Sequence, residues 1–250
     1  MKIPKKYKKR LKEDGILEDD TVKIAVAILT CEAHRNRNDF ILKWLPDTLP
    51  KNVEIFFIYG GSKKTTIEGN NIHFNCSESY EFFTEKVYSC IKHFYHQDID
   101  YLVKLDNDIH ILNFNKFIKS VRNLKSEQID CAFNILLHAK RDNYKRFLRE
   151  NFAYKKEIPK EYRGKYKGVL PDKWFGGHCY ILNKKAMKVL LDRFNSTLEY
   201  LKPITEVCED VLISHVLFSE DSIKSKQIER QNVWHKSCPC KEDWCILKKL

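Results

Sequence analysis

Short, almost purely apolar runs alternate along this chain with longer segments in which apolar residues recur at helical spacing. The apolar runs predict buried strands at Val22–Leu29, Val53–Tyr59, Ile72–Cys76, Tyr101–Leu105 and Cys131–Leu137. The helical spacing predicts helices at Arg37–Leu45, Tyr80–His96, Asn115–Val121, Lys184–Phe194 and from Glu209 onward. This alternation predicts a single α/β sandwich with a mostly parallel central sheet flanked by helices. No repeat or linker divides it, so we expect a basic lead-in at 1–21 and one domain at 22–250.

The most informative polar residues follow the strand at Tyr101–Leu105, where the sequence reads Asp106-Asn107-Asp108. In extended backbone, residues two apart point the same way, so Asp106 and Asp108 can face one point while Asn107 faces elsewhere. Close carboxylates repel unless a cation lies between them, and Mg²⁺ or Mn²⁺ bridges carboxylates to phosphates. The carboxyl end of a strand is also where open α/β folds bind nucleotides. The pattern predicts a metal–nucleotide site, but so short a pattern more often marks a solvated turn.

Three further groups of residues each have both a functional and a structural interpretation. The polar loop Thr30–Arg35 follows the first strand, where a nucleotide would be held. Gly176 and Gly177 precede an apolar strand, which permits close approach of a ligand but also a simple tight turn. Glu209 and Asp210 begin a helix, and acidic residues there commonly just complement the helix dipole.

Charge adds a competing interpretation. Lysine and arginine number 45 against 34 acidic residues, a net charge of +11 that favours negatively charged partners or substrates. The excess is concentrated in Lys140–Lys167, where aromatic residues are interleaved with eleven basic and four acidic ones. Such a segment can bind nucleic acid or sugar faces, although a loop that covers the sheet is the commoner outcome. No apolar run is long enough for a signal peptide or a membrane span, which predicts a soluble, cytoplasmic protein.

Four stretches, in this order, resemble the β-1,3-glycosyltransferases of the fringe and core galactosyltransferase type, which have the GT-A fold. They are Ile28–Trp44, Val103–Asp108, Phe175–Leu182 and Cys208–Val211. The resemblance implies a metal-dependent, inverting transfer of a sugar from a UDP-sugar to a hydroxyl of a glycan or glycoprotein acceptor. Two departures are that Asn107 stands where the family often has aspartate, and that the glycine stretch is shorter.

The resemblance also implies individual roles. Asp106 and Asp108 would bind Mn²⁺ (or Mg²⁺), and His235 is the candidate for the late histidine that completes the family's metal site. Asp210 would be the catalytic base. Besides the two metal ligands, the residues that would contact or shape the donor site are Thr30, Arg37, Asn107, Trp174, Gly176, Gly177 and Glu209.

Two other functions compete with the enzyme. A nucleic-acid-binding protein built on Lys140–Lys167 would explain the charge, but not the separated acidic and glycine motifs in order. Salt-sensitive binding to any oligonucleotide without UDP binding would favour it. A catalytically silent member of the same fold that binds a glycan would keep all the motifs, and detectable UDP-sugar hydrolysis would argue against it. We favour the enzyme, and nucleic acid is not an expected partner.

Overall fold

The protein is described by a computed structural model that covers residues 21–79, 82–111, 113–138, 171–196, 208–228 and 233–235. The helices in these ranges are α1 (Arg35–Trp44), α2 (Phe83–Tyr95), α3 (Phe114–Ser126), α4 (Lys184–Ser196) and α5 (Glu209–Phe218). The strands up to the middle of the chain are β1 (Ile24–Leu29), β2 (Val53–Tyr59), β3 (Thr66–Glu68), β4 (Asn71–His73), β5 (Tyr101–Asp106) and β6 (Ile109–Ile111). Those that follow are β7 (Cys131–Phe133), β8 (Leu136–His138), β9 (Lys173–Phe175), β10 (Cys179–Asn183), β11 (Ser225–Gln227) and β12 (Val233–His235).

The central sheet of the described part runs in the order β11-β7-β10-β5-β1-β2-β4-β3. Strands β1, β2, β4, β5, β7 and β11 are parallel, whereas β10 and β3 run the other way. Two smaller pairs, β6 with β12 and β8 with β9, lie beside it. The predicted class, an α/β protein with a mostly parallel central sheet flanked by helices, is therefore confirmed.

Apolar side chains cover both faces of the sheet. All six residues of β1 are buried, with Ala25, Ala27 and Leu29 in one core and Ile24 in the other. The first core packs against α2, α4 and α5, and the second against α3. Burial on both faces explains why these strands read as continuous apolar runs rather than as alternating ones.

Two local predictions were wrong in detail. The single strand expected at Cys131–Leu137 is two strands, β7 and β8, which break at Asn134 and pair in different sheets. The extended backbone expected through Asp108 stops at Asp106, because residues 107 and 108 form the turn into β6. At least one strand beside each break has only three residues, β7 and β8 at the first and β6 at the second, and so few residues carry no detectable periodicity.

Asp130 ties together three segments at the edge of the sheet where β7 begins. Its Oδ2 accepts from the Lys224 N–H at 2.9 Å and from Lys185 Nζ at 3.2 Å, and its Oδ1 accepts from Asn183 Nδ2 at 2.8 Å. Burial alone would raise the pKa of Asp130, but these hydrogen bonds outweigh it and hold the pKa below its ordinary value of 3.8. The carboxylate therefore stabilises the fold only while it is ionised.

We expect Asp130→Asn to lower the free energy of unfolding at pH 7 by about 1–3 kcal/mol, because the amide turns a donor toward groups that now donate to Asp130. A depressed pKa in the folded state gives stability that is complete above the ordinary pKa and is lost as the pH falls through the folded one. The difference in the free energy of unfolding between wild type and variant should thus shrink as the pH falls below 3.8. Urea unfolding at pH 7 and at pH 3 measures both effects; an equal gap at the two values would contradict the assignment.

Candidate functional site

The candidate site lies at the carboxyl ends of β1 and β5. The register pairs Leu29 with Asp106, so Thr30 and Asn107 follow side by side. Asn107 Nδ2 donates to Thr30 Oγ1 at 3.0 Å, and both side chains are buried. Asn107 thus points away from Asp106, as expected, and the contact of these two residues joins the ends of the two strands.

Lys104, which sequence reasoning passed over, lies at the centre of the acidic residues. Its side chain is 2% exposed, and its Nζ lies 2.7 Å from Asp106 Oδ1 and 3.6 Å from Glu209 Oε1. The same Nζ donates to the carbonyl oxygen of Gly177. Its ammonium also lies beside two aromatic rings, at 5.0 Å from Phe83 and 5.3 Å from Tyr180. One buried cation therefore connects β5, the glycine turn before β10 and the first turn of α5.

The carboxyl groups around Lys104 resist ionisation. Burial raises the pKa of Asp106, Lys104 opposes the rise, and the charge of Asp108 adds to it. Burial likewise raises the pKa of Glu209 to about 7, against the attraction of Lys104. The pKa of Lys104 is itself raised, because Asp106 and Glu209 outweigh the effect of its burial. Several carboxyl groups share one lysine here, which makes the site favourable for a further cation.

Glu209 and Asp210 begin α5, as predicted, but their surroundings differ. Glu209 is 7% exposed and accepts a hydrogen bond from the Tyr180 hydroxyl at 2.5 Å. Asp210 is half-buried; its Oδ1 accepts from the Val211 N–H at 2.8 Å and its Oδ2 from the Gly177 N–H at 3.1 Å. Burial raises the pKa of Asp210, and these bonds, with one from the Cys208 thiol, act against the rise. Only Asp210 of this pair is open to a substrate.

The glycine turn fits closely against α5. A Cβ on Gly177 would lie 3.0 Å from both Asp210 Cβ and Glu209 Oε2, and the Gly176 N–H donates to the Ile135 carbonyl at 3.0 Å. We expect Gly177→Ala to lower the free energy of unfolding by about 1–3 kcal/mol, since the new methyl must push both acidic side chains aside. Chemical denaturation against wild type measures the loss. An unchanged stability would mean that the turn and α5 are not packed in this way.

The residues at the end of β5 fit a divalent metal ion. Lys104 Nζ donates to Asp106 Oδ1, whereas Asp106 Oδ2 accepts no hydrogen bond from any described residue. Strand β12 pairs with β6 so that His235 is opposite Ile109, the residue after Asp108. Carboxylate oxygens are the ligands that suit Mg²⁺ and Mn²⁺. The described side chains do not include that of His235. Among them, no group of three or more histidine, cysteine, aspartate or glutamate residues is arranged so that it could hold a metal ion.

A cavity of about 360 Å³ lies at the carboxyl end of β2, on the other side of β1 from Asp106. The Tyr59 ring stacks on the His73 ring with 4.6 Å between their centroids, and the Arg35 guanidinium lies 5.7 Å from the centroid of the Tyr59 ring. The Tyr59 hydroxyl accepts from Asn38 Nδ2 at 2.6 Å. The full lining is Glu32, Arg35, Tyr59, Gly60, Gly61, Ser62, Thr66, Glu68, His73 and Glu78. The sequence signal for this cavity was the glycine pair that ends β2.

The remaining predicted residues are placed as follows. Arg37 is buried in α1, with 8% of its surface exposed, and Trp174 is fully buried in β9. Trp174 can therefore shape a sugar site only through its packing. The described residues put Asp106, Gly177, Glu209 and Asp210 around Lys104 and Thr30 next to Asn107. Lys140–Lys167, the basic lead-in and the cysteines after His235 lie outside the described residues.

Comparison with known proteins assigns no family. No family model and no curated protein matches the sequence. Solved structures that resemble it include A197 from STIV (14% identity, TM-score 0.42), which aligns over 84% of this chain and 83% of that one. The mannosyltransferase PcManGT from Pyrobaculum calidifontis, solved with GDP-Man and Mn²⁺, aligns over 90% and 61% (13% identity, TM-score 0.47). The glycosyltransferase GlyE of Streptococcus pneumoniae TIGR4 aligns over 83% and 45% (12% identity, TM-score 0.41).

The chain thus spans less than two thirds of the length of PcManGT and of GlyE. At these TM-scores the likeness carries no argument about function. Within the described ranges, every helix is too short or too polar to cross a membrane.

Proposed function

We propose that this protein is a metal-dependent inverting glycosyltransferase that moves a sugar from a UDP-sugar to a hydroxyl of a glycan or glycoprotein. The observation that carries the proposal is the gathering of Asp106, Glu209 and Asp210 around Lys104 at the carboxyl edge of the sheet. The order of these motifs along the chain, which resembles the fringe-type enzymes, supports it.

Asp106 and Asp108, with His235, are the residues that would hold Mn²⁺ or Mg²⁺. When bound, such an ion neutralises the negative charge of a nucleoside diphosphate. Asp106 contributes through Oδ2, since Lys104 already binds Oδ1. Lys104 keeps its proton and so holds the Asp106 carboxylate in place.

The cavity beside Tyr59 suits the nucleoside end of the donor. Its volume of about 360 Å³ is within the range of small-molecule sites, and it offers an aromatic ring and a guanidinium. It lies at the end of β2, two strands from β5, and thus about 10 Å from Asp106. Thr30 directly follows β1, which lies between β5 and β2 in the sheet, and Arg37 lies in the first turn of α1; we propose that these two residues make the predicted nucleotide contacts.

Asp210 is the proposed base. An acceptor hydroxyl becomes a good nucleophile when a positioned carboxylate takes its proton. Asp210 is half-exposed, and the Gly177 and Val211 N–H groups fix the orientation of its carboxylate. Glu209 is too buried to reach an acceptor and instead binds Tyr180 and Lys104.

The test is a panel of nucleotide sugars assayed for release of the free nucleotide with Mn²⁺, with EDTA, and with Mn²⁺ restored. We expect release from a UDP-sugar that EDTA abolishes and Mn²⁺ restores. GDP-sugars in the same panel test the choice of base. Binding of oligonucleotides that weakens with salt, together with no binding of any nucleotide sugar, would replace this function by nucleic-acid binding.

A further inference from the structure

Gly177 lies between Lys104 and Asp210. Its carbonyl accepts a hydrogen bond from Lys104 Nζ, and its N–H donates to Asp210 Oδ2 at 3.1 Å. The carbonyl and the N–H belong to the two planar peptide units that meet at the Gly177 Cα, so the two hydrogen bonds hold the turn from both sides. The absence of a side chain lets this turn lie against α5, since a Cβ on Gly177 would meet Asp210.

We propose that Lys104 is a positioning residue, which orients the Asp210 carboxylate through the Gly177 turn. The inference rests on the proposed function for the role of Asp210, but its structural part does not. Lys104 is 2% exposed, and its ammonium lies within 3.6 Å of acceptors on β5 and α5 as well as on the turn. The polar partners described for its ammonium are Asp106, Glu209 and the Gly177 carbonyl, and the last of these links it to Asp210 through the turn.

The alternative is that Lys104 only neutralises buried carboxylates. Removing the cation would then destabilise the fold, and any loss of rate would follow from misfolding. Two measurements together separate the alternatives, because the charge of Lys104 acts on Asp210 in either case, whereas only a positioning residue also holds the Gly177 turn. They are the combined effect of the Lys104 and Asp210 substitutions on kcat and the hydrogen exchange of the Gly177 amide.

The variants are Lys104→Met, which keeps the apolar stem, Asp210→Asn, and the two combined. Arg122→Met is the matched control. Arg122 is 4% exposed and donates to a backbone carbonyl, that of Lys51 at 2.7 Å, but lies on α3 away from the site. Should Lys104→Met fail to fold, Lys104→Gln takes its place, since glutamine retains an N–H donor but loses the charge and one bond of reach.

We expect Lys104→Met to lower kcat for transfer by ~10²-fold or more, within the range of a general base. Because Lys104 also binds the proposed metal ligand Asp106, donor affinity should fall by ~10–100-fold as well, so kcat is measured at saturating donor and Mn²⁺. In the Asp210→Asn background the same substitution should lower kcat no further, because groups that act as a unit are not additive. Arg122→Met should lower the melting temperature and leave kcat unchanged. If the double variant instead loses kcat by the product of the two single-variant factors, Lys104 and Asp210 act independently and the proposal is overturned.

The second readout does not depend on activity. Exchange of the Gly177 amide, followed by NMR, should become about tenfold faster or more in Lys104→Met than in Arg122→Met, because the turn loses its anchor. Unchanged exchange would overturn the positioning role even if transfer is active. If the wild type transfers no sugar but Gly177 exchange responds as expected, the proposed function fails and the structural role of Lys104 stands.

Discussion

Asp108→Ala should abolish Mn²⁺-dependent binding of UDP while the protein remains folded. Loss of an outer partner of a metal ligand typically costs ~10–100-fold in affinity, and loss of a ligand should cost more. Asp108 lies two residues after the end of β5, and its charge is one cause of the raised pKa of Asp106; on the proposed function the two carboxylates bind one ion. Calorimetry of UDP with and without Mn²⁺ makes the measurement.

The control for this experiment is Asp100→Ala. Asp100 precedes β5 at the opposite edge of the sheet, where it accepts hydrogen bonds from the Lys23 N–H and from Lys125. Removing it takes away a carboxylate and leaves the site intact. Asn107→Asp is a less suitable control, because Asn107 donates to Thr30 and an aspartate there has no such donor. UDP binding that does not need metal and is unchanged in Asp108→Ala would contradict the assignment of Asp108 as a metal ligand.

Asp210→Asn should reduce transfer by a factor of ~10²–10⁴, the usual contribution of a general base, with metal and UDP affinity almost unchanged. The substitution keeps the size of the side chain and removes its proton acceptor. Since burial raises the pKa of Asp210 above its ordinary 3.8, the wild-type rate should fall with decreasing pH already above that value, as the base takes up a proton. In the variant this pH dependence should disappear.

The competing role for Asp210 is structural. Its Oδ1 accepts from the Val211 N–H in the first turn of α5, and its Oδ2 accepts from the Gly177 N–H in the turn before β10. That role predicts a loss of stability of about 1 kcal/mol and normal turnover. Measuring kcat and the melting temperature for Asp210→Asn beside Glu209→Gln separates the two roles. If Asp210→Asn transfers sugar at the wild-type rate, the mechanism has lost its base and a glycan-binding protein without activity becomes the better description.

The strands that the sequence predicted best are the long ones in the middle of the sheet. Strands β1, β2 and β5 have six or seven residues, almost every position is buried, and the apolar run marks the strand. The pairs β6 with β12 and β8 with β9 were missed, since each of these strands has three residues. Their position depends on pairing between distant segments, which local pattern does not contain.

The candidate site was predictable only in part. Asp106, Glu209 and Asp210 were found from motifs, because chemistry restricts which residues can bind a cation or take a proton. Lys104 was overlooked inside an apolar run, although a lysine within a buried strand is almost always paired. The cavity beside Tyr59 depends on segments from β1 to β4, whose approach only the fold determines.

The pairing of β8 with β9 has a consequence for how this chain can change in length. His138 is paired with Lys173, so the two ends of the intervening segment, 139–172, lie about 5 Å apart. An insertion or deletion between such ends costs little free energy, because the entropy of closing a loop grows only slowly with its length. Homologous chains can therefore carry segments of very different size between β8 and β9 while the strand order of the central sheet is preserved. Recombination at this position could therefore exchange the whole intervening segment without redesigning the sheet.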